Sequence, residues 1–294
     1  MSFNFTSFLN SCPGALAQGI LWGIMATGVF ITFVILDYAD LTVDNSFCTG
    51  GAVCAMLILG GMSPAVSLIF AFLSGTLAGM ITALLHTKLK IPGILSGILT
   101  QLALYSINMR IMQRANVSLL KASTVISLKN IPRSIMIGAG FMLVLIAILY
   151  WFFGTEIGSG IRATGNNARM AEALGINTDT MKIIALMMSN GFVALSGGLV
   201  AQYQGYADIN MGRGAIVIGL ASVIIGEVIF GKNINFAVRI FSTFIGCVIY
   251  YLIITLVLQA GLNTSDLKLF SAIVVAVALA IPALKKGKVK GGDR

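Results

Sequence analysis

Apolar runs long enough to cross a bilayer recur along this chain, near 15–36, 63–85, 92–112, 134–154, 182–203, 214–231, 238–260 and 267–284. A helix needs about 20 such residues to traverse a hydrocarbon layer of roughly 30 Å, so each run reads as one span. Charged residues make up only 10% of the chain, whereas a soluble domain carries about a quarter. With 294 residues, roughly eight or nine spans and their short connections use the whole length and leave no room for a soluble catalytic domain. The expected fold is an all-α polytopic membrane protein, one transmembrane domain over 1–294.

The polar interruptions carry the functional information. After the first span, whose Gly19, Gly23 and Gly28 suit close helix contact, comes DYADLTVDNSFCTGG. Its Asp37, Asp40, Asp44, Asn45 and Ser46 cannot face lipid. Residues 46–61 are therefore either a short, Gly-rich span or a re-entrant half-helix, which leaves the side of the N-terminus open. The hexamer from Tyr38 to Val43, YADLTV, reappears as YADINM from Tyr206 to Met211. Each copy leads into a Gly-rich apolar segment, which marks a candidate inverted repeat over 15–130 and 134–284. Both copies sit at span breaks, so Asp40, Thr42, Asp44, Asn45, Tyr206, Asp208 and Asn210 are the substrate-pathway candidates. Gln101 joins them: Gln101, Tyr105 and Asn108 share one helix face and either line a pathway or bond neighbouring helices. Glu227, near a span end, has Lys232 or Arg239 as candidate partners.

The longest polar interruption of the second half, 161–182, contains a short helix with its own punctuation. Asn166 or Asn167 can cap a helix over 168–174, and Gly175 supplies a left-handed stop. Met170 and Leu174 lie one turn apart and form an apolar ridge beside Arg169 and Glu172. Thr178 can cap the helix that follows. A rigid amphipathic helix between two spans is built to touch something outside the bilayer.

These residues, Gly165-Asn166-Asn167 followed by AEALGI from Ala171 to Ile176, resemble the cytoplasmic coupling loop of ABC importer permeases of the branched-chain amino acid and ribose superfamily. The stretches WGIMATGVFITFVILDYADLTVDNSF and HTKLKIPGILSGILTQLALYSINMRIM are similar to the branch associated with tryptophan or tyrosine uptake. The resemblance implies a homodimer that works with a cytoplasmic ATP-binding subunit and an extracytoplasmic substrate-binding protein. It implies that Asn166, Asn167, Arg169, Met170, Glu172, Leu174 and Gly175 contact the ATPase. ATP and magnesium then belong to that partner, and this chain binds no cofactor. The other reading of the broken, acidic segments is a secondary transporter coupled to Na⁺ or H⁺, which has no reason for a docking helix in 158–182.

Charge distribution orients the chain. By parity, the connections 86–91, 158–182 and 232–239 share a side with the tail 285–294, and together they hold 12 Lys and Arg against 7 in 110–133, 205–213 and 261–268. The first set, with the C-terminus, is expected in the cytoplasm of a multi-pass protein of the cell membrane. The five basic residues of 110–133 dissent. The net charge of +9 does not point to nucleic acid, because it crowds into the tail. The N-terminus has no basic region of a cleaved signal peptide. Cys12, Cys48, Cys54 and Cys247 have no metal-ligand spacing, and the single His86 stands at a span end. Gly226 to Asn233 imitates a P-loop but has Asn where Mg²⁺ needs a hydroxyl. The dinucleotide-like glycines at 158–160 follow a bilayer-length run rather than a strand. No enzymatic constellation is present in the sequence.

Overall fold

A computed structural model describes residues 5–231, 235–260 and six positions between 269 and 276. Helix α1 (Phe5–Phe30) continues into a π-helical segment, Ile31–Ile35. There follow α2 (Val43–Leu59), α3 (Pro64–Thr87), α4 (Gly93–Met112), α5 (Ile131–Phe153), α6 (Glu156–Asn166), α7 (Ala168–Ala173), α8 (Thr178–Gln204), α9 (Ala215–Phe230) and α10 (Phe236–Gln259). The boundaries follow the expected runs within a few residues, except that α1 begins ten residues before the run expected at 15. The six described positions of the run 267–284 are helical. The rest of it, the basic tail and Lys232 lie outside the described residues.

Among the described residues, five helical segments are long and apolar enough to cross a membrane: Phe8–Ile35, Pro64–Thr87, Leu128–Phe153, Thr178–Gln204 and Phe236–Gln259. The chain is thus an all-α, polytopic membrane protein; among the described residues five segments, not eight or nine, meet that measure, and the run 267–284 is described at six positions alone. Three further described helices fall short of it for physical reasons. With 17 and 16 residues, α2 and α9 reach roughly 25 Å at 1.5 Å per residue, short of the hydrocarbon thickness. Helix α4 has the length, but Gln101, Asn108 and Arg110 lower its apolar content.

Helix α8 is the axis of packing. A Cβ on Gly75 or Gly79 of α3 would overlap the carbonyls of Asn190 or Leu186, and one on Gly50 of α2 would overlap the carbonyl of Ala194. The hydroxyls of Ser196 and Ser189 donate to the carbonyls of Leu21 and Gly28 on α1, both at 2.7 Å. In lipid there is no hydrophobic drive between helices, so close backbone approach and hydroxyl bonds of this kind hold them. The contacts also set direction. Helix α2 runs parallel to α8 and starts beside its midpoint, with Ser46 at Asn190 and Gly50 at Ala194. Helices α1 and α3 run antiparallel to it. Residues 46–59 thus belong to a single short helix that starts inside the bundle. Large apolar side chains such as Ile69, Leu77, Leu102, Leu143 and Trp151 on α3, α4 and α5 face outward.

One small sheet interrupts the helical plan. Strands β1 (Asn116–Ser118) and β2 (Tyr206–Asp208) pair antiparallel, with Val117 opposite Ala207. The pairing holds the connections 110–133 and 205–213 together at one end of the bundle. Helices α6 and α7 occupy the other end.

Candidate substrate pathway and coupling surface

The two span breaks approach the middle of the bundle from opposite ends. Residues 36–42 rise from the α7 end, where a Cβ on Gly165 would overlap the carbonyl of Ile35. Residues 205–214 descend from the end that carries the sheet: Cys48 Sγ donates to the carbonyl of Ile209 at 3.3 Å. They meet at Asp44, whose carboxylate accepts the backbone N–H groups of Gly214 and Ile216, each at 3.0 Å. Asp44 stands in the first turn of α2 and thus caps the first turn of α9. A carboxylate carried in the first turn of one helix thus satisfies orphan N–H donors at the start of another.

The other acidic group of the first break is internal as well. Asp40 is fully buried, and accepts from the Thr42 backbone N–H at 2.9 Å and from Asn190 Nδ2 at 2.6 Å. Asn190 Oδ1 takes the Ser46 hydroxyl at 2.7 Å, and the hydroxyls of Thr42 and Thr82 bond at 2.7 Å. Asn45 Nδ2 donates to the carbonyl of Gln101, and Asn108 Nδ2 donates to the carbonyl of Asn45 at 3.3 Å. The shared face of α4 is therefore an interhelical bonding face at Asn108, while Tyr105 is exposed.

A cavity of about 450 Å³ lies at the sheet end, lined by Trp22, Asn116, Gln204, Tyr206, Asp208 and Asn210 among others. Of the pathway candidates it gathers Tyr206, Asp208 and Asn210. Asp40, Thr42, Asp44, Asn45 and Gln101 are not in its wall. Asp208 accepts from Asn116 Nδ2 at 3.2 Å and from the Asn210 backbone at 2.8 Å. Trp22 packs against Phe47, ring centroids 4.6 Å apart, and its buried Nε1 has no partner among the described residues. Sequence reading did not select Trp22, Asn116 or Gln204. A tryptophan inside a Gly-rich span was the one local signal; Asn116 reaches the cavity only through strand pairing.

At the opposite end, α7 carries the expected punctuation. Asn167 Oδ1 accepts from the Met170 backbone at 3.1 Å, which chooses between the two candidate caps. Gly175, at φ +81°, donates to the Glu172 carbonyl at 2.9 Å, and Ile176 donates to the Ala171 carbonyl at 3.0 Å. That pair of bonds is the Schellman closure. The helix ends at Ala173 with Leu174 as its C-cap, one residue short of the expected range. Two further details differ from expectation. Asn177, not Thr178, caps α8 by accepting from the Thr180 backbone; the Thr178 hydroxyl instead binds Glu172 Oε1 at 2.7 Å and ties α7 to α8. The stretch before α7 is a second helix, α6, capped by Thr155. Ala171 is buried, while Met170 and Leu174 are 61% and 69% exposed. The apolar ridge points out of the bundle, and Arg169 is exposed beside it. Nearby, Glu227 pairs with Arg239 at 2.9 Å, one of its two candidate partners.

Residues 13–282 match the family described as the branched-chain amino acid transport system / permease component. The chain belongs to that family. The permease is 39% identical over 265 residues to the tyrosine transport system permease protein of Clostridioides difficile (strain R20291), covering 90% of this chain and 89% of the relative. It is 35% identical over 277 residues to an uncharacterised protein of Rickettsia prowazekii (strain Madrid E), covering 92% and 97%. An autoinducer 2 import system permease protein, LsrC of Yersinia pseudotuberculosis serotype O:1b (strain IP 31758), is 29% identical over 214 residues, covering 71% and 59%. The fold is shared with a chain of PsaBC from Streptococcus pneumoniae in complex with Fab, at a TM-score of 0.54 and 14% identity, covering 94% of this permease and 95% of that chain. The protein is accordingly a multi-pass transport permease subunit of the ABC transporter class.

Proposed function

We propose that this permease imports an amino acid, with aromatic amino acids as the favoured class, as a homodimer driven by a cytoplasmic ATPase and supplied by an extracytoplasmic binding protein. The observation that carries the reading is α7: a six-residue helix locked at both ends, with Met170 and Leu174 exposed on its outer ridge. An exposed apolar ridge on a stiff helix is the form a groove-docking element takes. A loose loop would absorb the displacement it must pass on. The α7 end then lies in the cytoplasm, the basic C-terminus is assigned to the same side by its charge, and the cavity with Trp22 and Tyr206 faces the binding protein. The amino acid substrate is supported by the tyrosine permease relative and by the aromatic wall of that cavity. The two YADxxx breaks entering from opposite ends support an inverted repeat.

The test is uptake of tyrosine, tryptophan and leucine by proteoliposomes that hold the permease, its ATPase and its binding protein. Leu174→Asp and Gly175→Val should insert normally, lose uptake and release the ATPase on purification. If both variants transport at the native rate and keep the ATPase, α7 is only a solvated connection and the importer reading loses its support.

A further inference from the structure

A second cavity, of about 560 Å³, opens at the α7 end between the π-helical end of α1, α6 and the start of α10. Its wall includes Asp37, Arg162, Asn166, Phe236 and Arg239. The charges in it are not paired with each other. Arg239 is held by Glu227 at 2.9 Å and lies over the Phe30 ring at 5.3 Å. Arg162 Nη2 donates to the carbonyl of Phe153 at 2.7 Å and to Ser159 Oγ at 3.4 Å, bonds that place its guanidinium, and among the described residues no carboxylate pairs with it. Asp37 is exposed and, among the described residues, makes no hydrogen bond or ion pair. Its φ is +53°, a region that side chains other than Gly adopt at a cost and that recurs at ligand-holding positions. One cavity thus displays, among the described residues, a carboxylate and a guanidinium without an ion-pair partner, together with an aromatic ring.

We propose that this cavity is a release-side station for a zwitterion, the α-amino acid on its way to the cytoplasm: Asp37 receives the ammonium, Arg162 the carboxylate, and Phe236 the apolar remainder. The inference rests on the amino acid reading above and adds to it a site separate from the cavity at the sheet end. The same chemistry, an ammonium and an acid on one molecule, is offered by a phosphatidylethanolamine headgroup, and the experiment separates the two.

The measurement uses the complete permease–ATPase complex in nanodiscs of phosphatidylglycerol, with Trp151 changed to Phe, Trp22 kept, and Phe236→Trp as a reporter inside the cavity, read as the difference spectrum against the same complex without Phe236→Trp. Tyrosine should shift the reporter's emission. Asp37→Asn, which keeps a residue tolerant of positive φ, should weaken tyrosine and tyramine roughly tenfold or more and leave 3-(4-hydroxyphenyl)propionate unchanged. Arg162→Gln should do the reverse, weakening tyrosine and the propionate but not tyramine, with Arg162→Lys restoring most of the loss. Wild-type uptake with no reporter response, or with both charge variants indistinguishable from the parent, overturns the station and leaves the importer reading standing. A response seen only when phosphatidylethanolamine is added, and altered by the same variants, assigns the cavity to lipid and overturns the amino acid occupant. If the wild-type complex takes up none of tyrosine, tryptophan and leucine, the amino acid reading and the station fall together.

Discussion

Asp44 Oδ2, in the first turn of α2, accepts the backbone N–H of Gly214 at 3.0 Å, and its Oδ1 reaches Ile216 at the same distance. One side chain thereby pins the starts of two short helices together inside the bundle, where lipid offers their donors nothing. Hydrogen bonds to a charged group contribute about 1.5–3 kcal/mol each. Asp44→Ala should therefore lower the thermal midpoint of the purified permease and abolish uptake, and Asp44→Asn, with one good acceptor left, should fall between. Unfolding followed by intrinsic fluorescence in detergent checks the order; an Ala variant as stable as the parent would show that α9 is held by packing alone.

Asp40 and Asn190 form a different kind of unit, a fully buried acceptor and its donor at 2.6 Å. Removing Asn190 alone strands one Asp40 oxygen as well as the Ser46 hydroxyl; once Asn190 is gone, removing Asp40 no longer costs their shared bond and strands only the Thr42 N–H. The double variant Asp40→Leu, Asn190→Leu should therefore lose less stability than the sum of Asp40→Leu and Asn190→Leu. Thermal midpoints of the singles and the double give the coupling directly, and additive losses would mean that the pair is not a unit.

The cap of α7 can be tested apart from the bundle. Asn167→Ala removes the one side-chain cap of a six-residue helix, a loss of about 1 kcal/mol. The expected result is a several-fold drop in solute moved per ATP hydrolysed with an unchanged thermal midpoint. A lower midpoint with normal stoichiometry would make Asn167 a structural residue only.

Labelling decides the sidedness. In a Cys-free background, single cysteines at Met170 and Leu120, both well exposed, should react with an impermeant thiol reagent from the inside and the outside respectively. If both react from one side, α5 does not cross the membrane.

The chain has two tryptophans, and Trp22 is the one in the wall of the sheet-end cavity. In a Trp151→Phe variant, emission then reports that cavity alone. Delivery of an aromatic amino acid by the loaded binding protein should shift it, and loaded and empty binding protein should differ. Equal spectra would place the solute elsewhere.

The helices were legible because their causes are local: an apolar run of bilayer length, Asn167 before a short helix, and Gly175 after it each act within a few residues. The lengths of α2 and α9 were harder to read, since what ends them is a polar break whose depth depends on neighbours. Asp40 and Asp44 looked like pathway residues because a charge at membrane depth demands a reason. The sequence shows that demand but not which partner meets it. Asn190 lies 150 residues from Asp40 and Gly214 lies 170 from Asp44, and neither separation leaves a periodic trace. The same holds for Asn116 beside Asp208, joined by a strand pairing between two connections, and for Asp37 and Arg162, brought into one cavity by the contact of Gly165 with Ile35. Hydropathy, capping and turn chemistry are properties of short segments and can be read in order along the chain; hydrogen-bond partners and cavity walls arise only when α8 has gathered the other helices around itself.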